Sequence, residues 1–352
     1  MPDKAIIFTD DLLDTFFAKT CHGLLRGSSR FEILGVVDSK HPGRDAGEVM
    51  DGVKRGVLVH PTVDEFLSLC SEKPEYCLVG VAFPGGILPN SCREQLMQAM
   101  KHGMSIVCGL HHFLSDDPEF KKTAQENNVE LIDIRKPRPT SELHFWSGEI
   151  YSVKTPRIAV LGTDCAVGKR TTCRFIMEAC QEHGVKTEMI YTGQTGWMQG
   201  YKHGFILDAT PNDFVSGEIE RAIVECERES KPDLILIEGQ SSLRNPSGPC
   251  GAEILLSGNV KGVILQHEPS REHFADLEEL GCLIPPVKEE INLIQIYGAE
   301  TLALTLSEAG DDERTISALQ KQLADDLSLP VVRPLREGVG ALLPLITKFM
   351  EA

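Results

Sequence analysis

Short apolar runs alternate along this chain with segments whose apolar residues recur at helical spacing. Residues 4–8 (KAIIF) predict a strand, and 10–25 carry Leu12, Leu13, Phe16, Phe17 and Leu24 on one helix face. Strands follow at 31–37, ending at Asp38, and at 56–59, then a helix at 62–70 and a strand at 77–81. A helix at 90–102, a strand at 104–108 and a last pair at 117–127 and 129–133 complete the first series. Residues 135–156 hold three prolines and no period, as a linker or strap does. After Pro156 the rhythm restarts with a strand at 157–162, a helix at 169–183, a strand at 187–193 and a helix at 214–229. Strands at 234–239 and 262–267, a helix near 271–280, a strand at 301–306 and helices at 312–326 and 339–350 end it. Strands alternating with amphipathic helices predict α/β architecture with parallel sheets covered on both faces. The break places two domains at 1–150 and 151–352.

A length of 352 residues suits two domains, each able to bury a core. Lys plus Arg number 35 against 52 Asp plus Glu, a net charge of −17. That excess repels nucleic acid and anionic membrane surfaces, but small anionic ligands answer to local donors. No apolar stretch has transmembrane length, and the acidic start differs from a signal peptide, so a cytoplasmic protein is expected. Eleven cysteines without a C-x-x-C pair are expected to be reduced thiols, and no metal site is expected.

The most specific chemical signal is RIAVLGTDCAVGKRTT at 157–172. An apolar strand enters Gly162, five residues intervene, and Gly168-Lys169 opens a helix. Glycines let backbone N–H groups turn inward, the helix start adds a positive dipole end, and Lys169 adds a charge, which together form a phosphate cradle. Gly162, Thr163, Asp164, Cys165, Ala166, Val167, Gly168, Lys169, Arg170, Thr171 and Thr172 are the candidate cofactor-binding residues. Nucleotide hydrolases place Ser or Thr after the lysine to hold Mg²⁺. Arg170 stands there instead, which weakens a Mg-ATP reading and leaves phosphate binding intact. Glu238 closes the apolar strand of LILIEGQSSL, where sites form in parallel sheets. The polar, glycine-rich stretch 192–220 reads as a site loop, with Asp208, Asp213 and Glu218 as acids; Asp213 also suits a helix cap.

GTDCAVGK resembles the phosphate loop of dethiobiotin synthetase-like proteins. With KTCHGLLR, FPGGILP, DIRKPRP, TGQTGW, DATPNDFVSGEIE and IEGQSSL, the full chain resembles a family long described as a domain of unknown function. Its members include D-glutamate N-acetyltransferases. The resemblance implies an N-terminal Rossmann-like domain and a C-terminal P-loop NTPase-like domain. It also implies transfer of the acetyl group of acetyl-CoA to D-glutamate, in a breakdown route ahead of a racemase.

Such transfer needs a base for the ammonium proton, donors for the oxyanion and cations for the two carboxylates. Glu238, Asp208 and His267 are the candidate bases, and the N–H groups of 193–196 the candidate oxyanion donors. Arg135, Lys136, Arg244 and Arg26, with Gln194 and Asp213, are the substrate-binding candidates. The 135–138 cluster is expected to reverse the local sign of charge. An ATP-dependent ligase or kinase using ATP and Mg, and a non-catalytic nucleotide-binding protein, remain alternatives. The small-molecule substrate is an acidic amino acid, and a homo-oligomer is expected because strap segments such as 136–155 often pack on a neighbour.

Among weaker signals, the first strand-turn-helix lacks G-x-G-x-x-G, so Asp38 reads as a strand-end brace. Gly85-Gly86 fits a tight turn or a close ligand approach. His111-His112 with Asp116-Asp117 makes a poor metal set because adjacent side chains diverge.

Overall fold

A computed structural model describes residues 1–83, 86–308 and 312–352, which divide into two compact units. The first comprises Met1–Pro137 together with Gln194–Tyr201, and the second Arg138–Gly193 together with Lys202–Ala352.

The first unit is a parallel sheet of β1 (Asp3–Phe8), β2 (Phe31–Val37), β3 (Val59–His60), β4 (Tyr76–Val79), β5 (Ser105–Cys108) and β6 (Leu131–Asp133). Its order, β3-β2-β1-β4-β5-β6, is the Rossmann order with a switch between β1 and β4. Helices α1 (Lys19–Leu25), α2 (Ala46–Asp51), α3 (Val63–Leu69), α4 (Asn90–Lys101) and α5 (Pro118–Asn127) cover it. The central strands are apolar and buried on both faces, as a sheet enclosed by crossovers requires.

The helix expected over 10–25 begins only at Lys19. Asp10 and Asp11 take left-handed φ angles of 46° and 63°. The buried Asp38 carboxylate accepts from Thr9 Oγ1 at 2.7 Å and Leu13 N at 3.1 Å, fixing a turn in place of a helical start. Asp38 is therefore a brace. Gly85 lies outside the described residues. Gly86 takes φ 67°, and a Cβ there would lie 2.5 Å from the His111 ring. Asp116 pairs with Lys136 and Asp117 caps α5 while binding Arg93, so both acids have structural duties.

The stretch after Gly193 is not a loop. Gln194–Gln199 is a short helix (α7, following α6, Lys169–Glu182) that packs within the first unit. Thr195 Oγ1 lies 2.9 Å from Thr20 Oγ1, and Gln199 Nε2 donates to Gly23 O at 2.9 Å. Arg30 Nε donates to Trp197 O at 2.9 Å while its guanidinium stacks 4.0 Å from that indole's centre.

The second unit contains β7 (Arg157–Gly162), β8 (Thr187–Tyr191), β9 (His203–Gly204), β10 (Leu234–Glu238), β11 (Gly262–His267), β12 (Glu300–Leu306) and β13 (Val331–Val332). All run parallel in the order β13-β12-β11-β7-β10-β8-β9, placing β7 between β10 and β11. The helices are α6, α8 (Asn212–Ser230), α9 (Ala252–Ser257), α10 (Val287–Ile296), α11 (Glu313–Leu327), α12 (Pro334–Glu337) and α13 (Leu343–Glu351). No helix appears at 271–280, because its amides serve tertiary acceptors. Ala275 N donates to Asp164 Oδ2 and Phe274 N to Cys282 O. Among the described residues no helix is long and apolar enough to cross a membrane, and all eleven thiols are free.

The units divide at 137/138, ahead of the expected 150. Two buried acids on α8 draw the intervening strap into the second unit. Glu218 accepts from His144 N at 3.1 Å and Arg221 Nε at 2.9 Å, and it also binds Arg138. Glu220 accepts from Ser147 N at 2.6 Å and Ile150 N at 3.0 Å. Glu218 is thus a structural acid. Burial opposes its charge, yet His144, Arg221 and Arg138 hold it below the usual carboxylate range. Glu218→Gln is expected to lower unfolding stability by about 2 kcal/mol, allowing for the exposure of Arg138 and His144. A shifted urea midpoint at unchanged m-value is the check.

Candidate active site

Three adjacent central strands end at one place. β7 runs into the loop 163–168, β10 ends at Glu238 and β11 ends at Gln266-His267. Thr163 N continues the β7–β11 ladder by donating to Gln266 O at 3.0 Å. The strand order reverses here, so the loops diverge and leave a crevice, the usual ligand position in an open parallel sheet.

The loop wraps as its glycines demand. A Cβ on Gly162 would lie 2.9 Å from Lys169 Cδ and Val167 Cγ2, so only glycine lets the lysine stem fold back over the loop. Gly168 takes φ 103° as it opens α6, and Ala166 takes φ 55° at the exposed tip. The α6 face bearing Thr172, Cys173, Ile176 and Cys180 is buried, which anchors the loop's far side. Lys169 is 7% exposed, and its Nζ donates to Asp164 O at 2.5 Å and Ser241 O at 2.8 Å. Burial pushes its ammonium below the usual lysine range, with Cys165, Asp164, Cys250 and Glu238 acting in the opposite sense. Lys169 therefore places its side-chain nitrogen at the bottom of the cradle on two carbonyl contacts.

Glu238 is buried beside this lysine. Its Oε2 accepts from Thr192 N at 3.1 Å, and Thr192 Oγ1 donates to Glu238 O at 2.9 Å. Burial raises its carboxyl above the usual range, against the charges of Arg170 and Lys169 and the Thr192 and Gly193 amides. A raised carboxyl with ordered donors on one side suits a proton acceptor. The side chain following Lys169 is thus a guanidinium acting on the strand-end acid, where hydrolases have a hydroxyl.

His267 Nδ1 lies 2.9 Å from Thr163 Oγ1, and burial, with the Arg271 charge, pushes its ring down to about 4. The imidazole is neutral at pH 7. Asp208 is exposed in a 3-10 turn, Leu207–Ala209, and Asp213 is exposed in the first turn of α8.

Several candidates have other duties. Asp164 is fully buried and accepts from Asn245 Nδ2 at 2.9 Å, Arg271 Nη1 at 3.0 Å and Ala275 N at 2.8 Å. It staples neighbouring segments to the loop and does not offer its carboxylate to a ligand. Thr172 Oγ1 donates to Gln266 Oε1 at 2.6 Å, whereas Cys165, Arg170 and Thr171 are half-buried. Arg244 is withdrawn as a carboxylate clamp, because Glu290 at 2.8 Å and Glu289 at 2.6 Å already hold it. Gly193 N serves Glu238, and 194–196 are helical in the first unit, so the expected oxyanion loop is not formed.

Arg26, Arg135, Lys136 and Gln194 belong to the first unit. Arg26 pairs with Asp51, Arg135 donates to Gly109 O, Lys136 pairs with Asp116, and the Gln194 stem packs on Gly109. The 135–138 cluster is divided between units: Arg135 donates to a backbone carbonyl, and Lys136 and Arg138 pair with Asp116 and Glu218. Sequence reasoning missed Asn245, Gln266 and Arg271. Gln266 was visible as a polar residue closing an apolar strand, but nothing in the sequence marked Arg271 or Asn245.

Residues 39–137 match the domain of unknown function DUF1611_N, described as Rossmann-like, and 144–343 match DUF1611_C, described as a P-loop domain. A D-glutamate N-acetyltransferase of a Pseudoalteromonas species is 30% identical over 278 residues, covering 75% of this chain and 79% of that protein. One from Tritonibacter scottomollicae is 30% identical over 275 residues, with the same coverage. The crystal structure of a DUF1611 family protein from Anabaena variabilis superposes with a TM-score of 0.89 at 26% identity, covering 98% of this chain and 99% of that one.

Proposed function

The chain belongs to the DUF1611 family of two-domain proteins, and on that premise we propose that it is an N-acetyltransferase moving the acetyl group of acetyl-CoA to the amino group of D-glutamate. The relatives' activity supports this reading, and one observation in the site carries it. A phosphate cradle lies beside a buried carboxylate of raised pKa, with Arg170 in place of the magnesium-binding hydroxyl.

The cradle fits the anionic part of coenzyme A by its chemistry. Lys169 and the amides of the loop and of the α6 start meet the phosphates. Glu238 takes the proton of the acceptor ammonium, since only the free amine attacks. A bond forms from that nitrogen to the acetyl carbon, the carbon–sulfur bond breaks, and the proton balance is completed by the departing thiol. His267, neutral at working pH, supports the loop through Thr163. The proposal includes a cytoplasmic homo-oligomer acting on small molecules, without a nucleic-acid or membrane partner.

The test is thiol release. Acetyl-CoA and D-glutamate together should yield free CoA and N-acetyl-D-glutamate, and either alone should not. L-Glutamate in parallel reads the stereochemical preference. ADP release from ATP without CoA release overturns the proposal in favour of ligase or kinase chemistry.

A further inference from the structure

We propose that the serine pair following the strand-end acid, Ser241-Ser242, supplies the donor that stabilises the tetrahedral oxyanion. The inference rests on the acetyl-transfer reading. That chemistry places negative charge on the former carbonyl oxygen, which needs a preorganised donor. Of the N–H groups first expected to serve, those of 193–196, Gly193 N faces Glu238 and 194–196 lie in a helix of the first unit.

Ser241 and Ser242 follow that acid by three and four residues along the chain. The Ser241 carbonyl receives the ammonium of Lys169 at 2.8 Å, so this backbone forms part of the cradle. Both hydroxyl oxygens are buried, and neither has a hydrogen-bond partner. Ser242 is 2% exposed as a whole residue. An unsatisfied buried hydroxyl costs stability, and two in succession on the backbone that holds Lys169 are explained by an oxygen that arrives with the ligand.

The backbone also permits both side chains to serve one site. Ser241 takes a left-handed φ of 41°, so the strict alternation of extended chain does not apply across the pair. Holding a non-glycine residue there is strained, as is common where a chain positions a functional group. The loop itself is fixed, because Cys250 N donates to Ser242 O at 2.9 Å and Gln240 Nε2 donates to Thr192 Oγ1 at 3.2 Å.

The experiment uses the full chain with Ser241→Ala, Ser242→Ala and the double variant, read by thiol release and thermal melting. At least one single variant should lose roughly 100- to 1000-fold in kcat with KM for acetyl-CoA within about threefold. Its melting temperature should hold or rise, because the change removes a hydroxyl that has no partner. A merely structural serine would lower the melting temperature and spare kcat. Should an alanine variant fail to fold, Ser241→Cys or Ser242→Cys, similar in shape but a weak donor, should show the same kcat loss. Turnover within threefold of wild type in all variants overturns this assignment while leaving acetyl transfer standing. A wild-type chain with no thiol release overturns the acetyl-transfer reading itself.

Discussion

Glu238→Gln is expected to reduce the rate of CoA release roughly 100- to 10,000-fold while the chain folds normally, the span general-base catalysis supplies. Glutamine keeps the shape and can still accept from Thr192 N, so the variant removes the ability to take a proton together with the charge that faces Arg170 and Lys169. Two further readings fix the cause. In the wild type, activity should rise with pH through a carboxyl pKa above the usual value, because the base works only when ionised and burial raises that pKa. Stability should respond in the opposite direction. An acid whose folded pKa is raised binds its proton more tightly folded than unfolded, so stability falls as pH rises from the unfolded toward the folded pKa. Glu238→Gln removes that cost and should melt higher than wild type at neutral pH, the gap closing near pH 4. A variant of undiminished rate would move the proton acceptor to another residue, with exposed Asp208 next in line.

The second large effect is expected at Lys169. Lys169→Ala should weaken CoA binding about 10- to 100-fold, the worth of one charge-assisted contact in a partly dry site. Lys169→Met is the informative partner, because its aliphatic stem still covers Gly162 while the charge is gone. Equal loss in both variants, measured by calorimetry with desulfo-CoA, assigns the effect to the ammonium. Retained affinity in Lys169→Met would mean that the lysine serves the loop and not the ligand.

How much of this was legible beforehand follows from where the information lies. The strands β2, β7 and β11 begin and end where the apolar runs do, because a doubly covered parallel strand must be apolar throughout. The cradle was equally visible, since Gly162, Gly168 and Lys169 are local requirements of a phosphate-binding turn. The partners of charged groups were not. Arg244 reads as a clamp until Glu289 and Glu290 arrive on α10, and Asp164 reads as a ligand until Arg271 and Asn245 close on it. These are tertiary pairings between residues far apart in sequence. Gln194–Gln199 reads as part of a loop because Thr195 and Gly196 are weak helix formers in a polar, glycine-rich stretch, and contacts with Thr20, Gly23 and Arg30 override that preference.

That short helix bears on how the protein is made. The first unit is not finished when Pro137 leaves the ribosome, because its last piece is encoded beyond the phosphate loop. During synthesis, β7 and α6 of the second unit emerge before the first can close. The buried surface of Thr20, Gly23 and Met198 must wait for Tyr201. A gene fusion or deletion that cuts the chain after Pro137 would part Gln194–Tyr201 from the rest of the first unit.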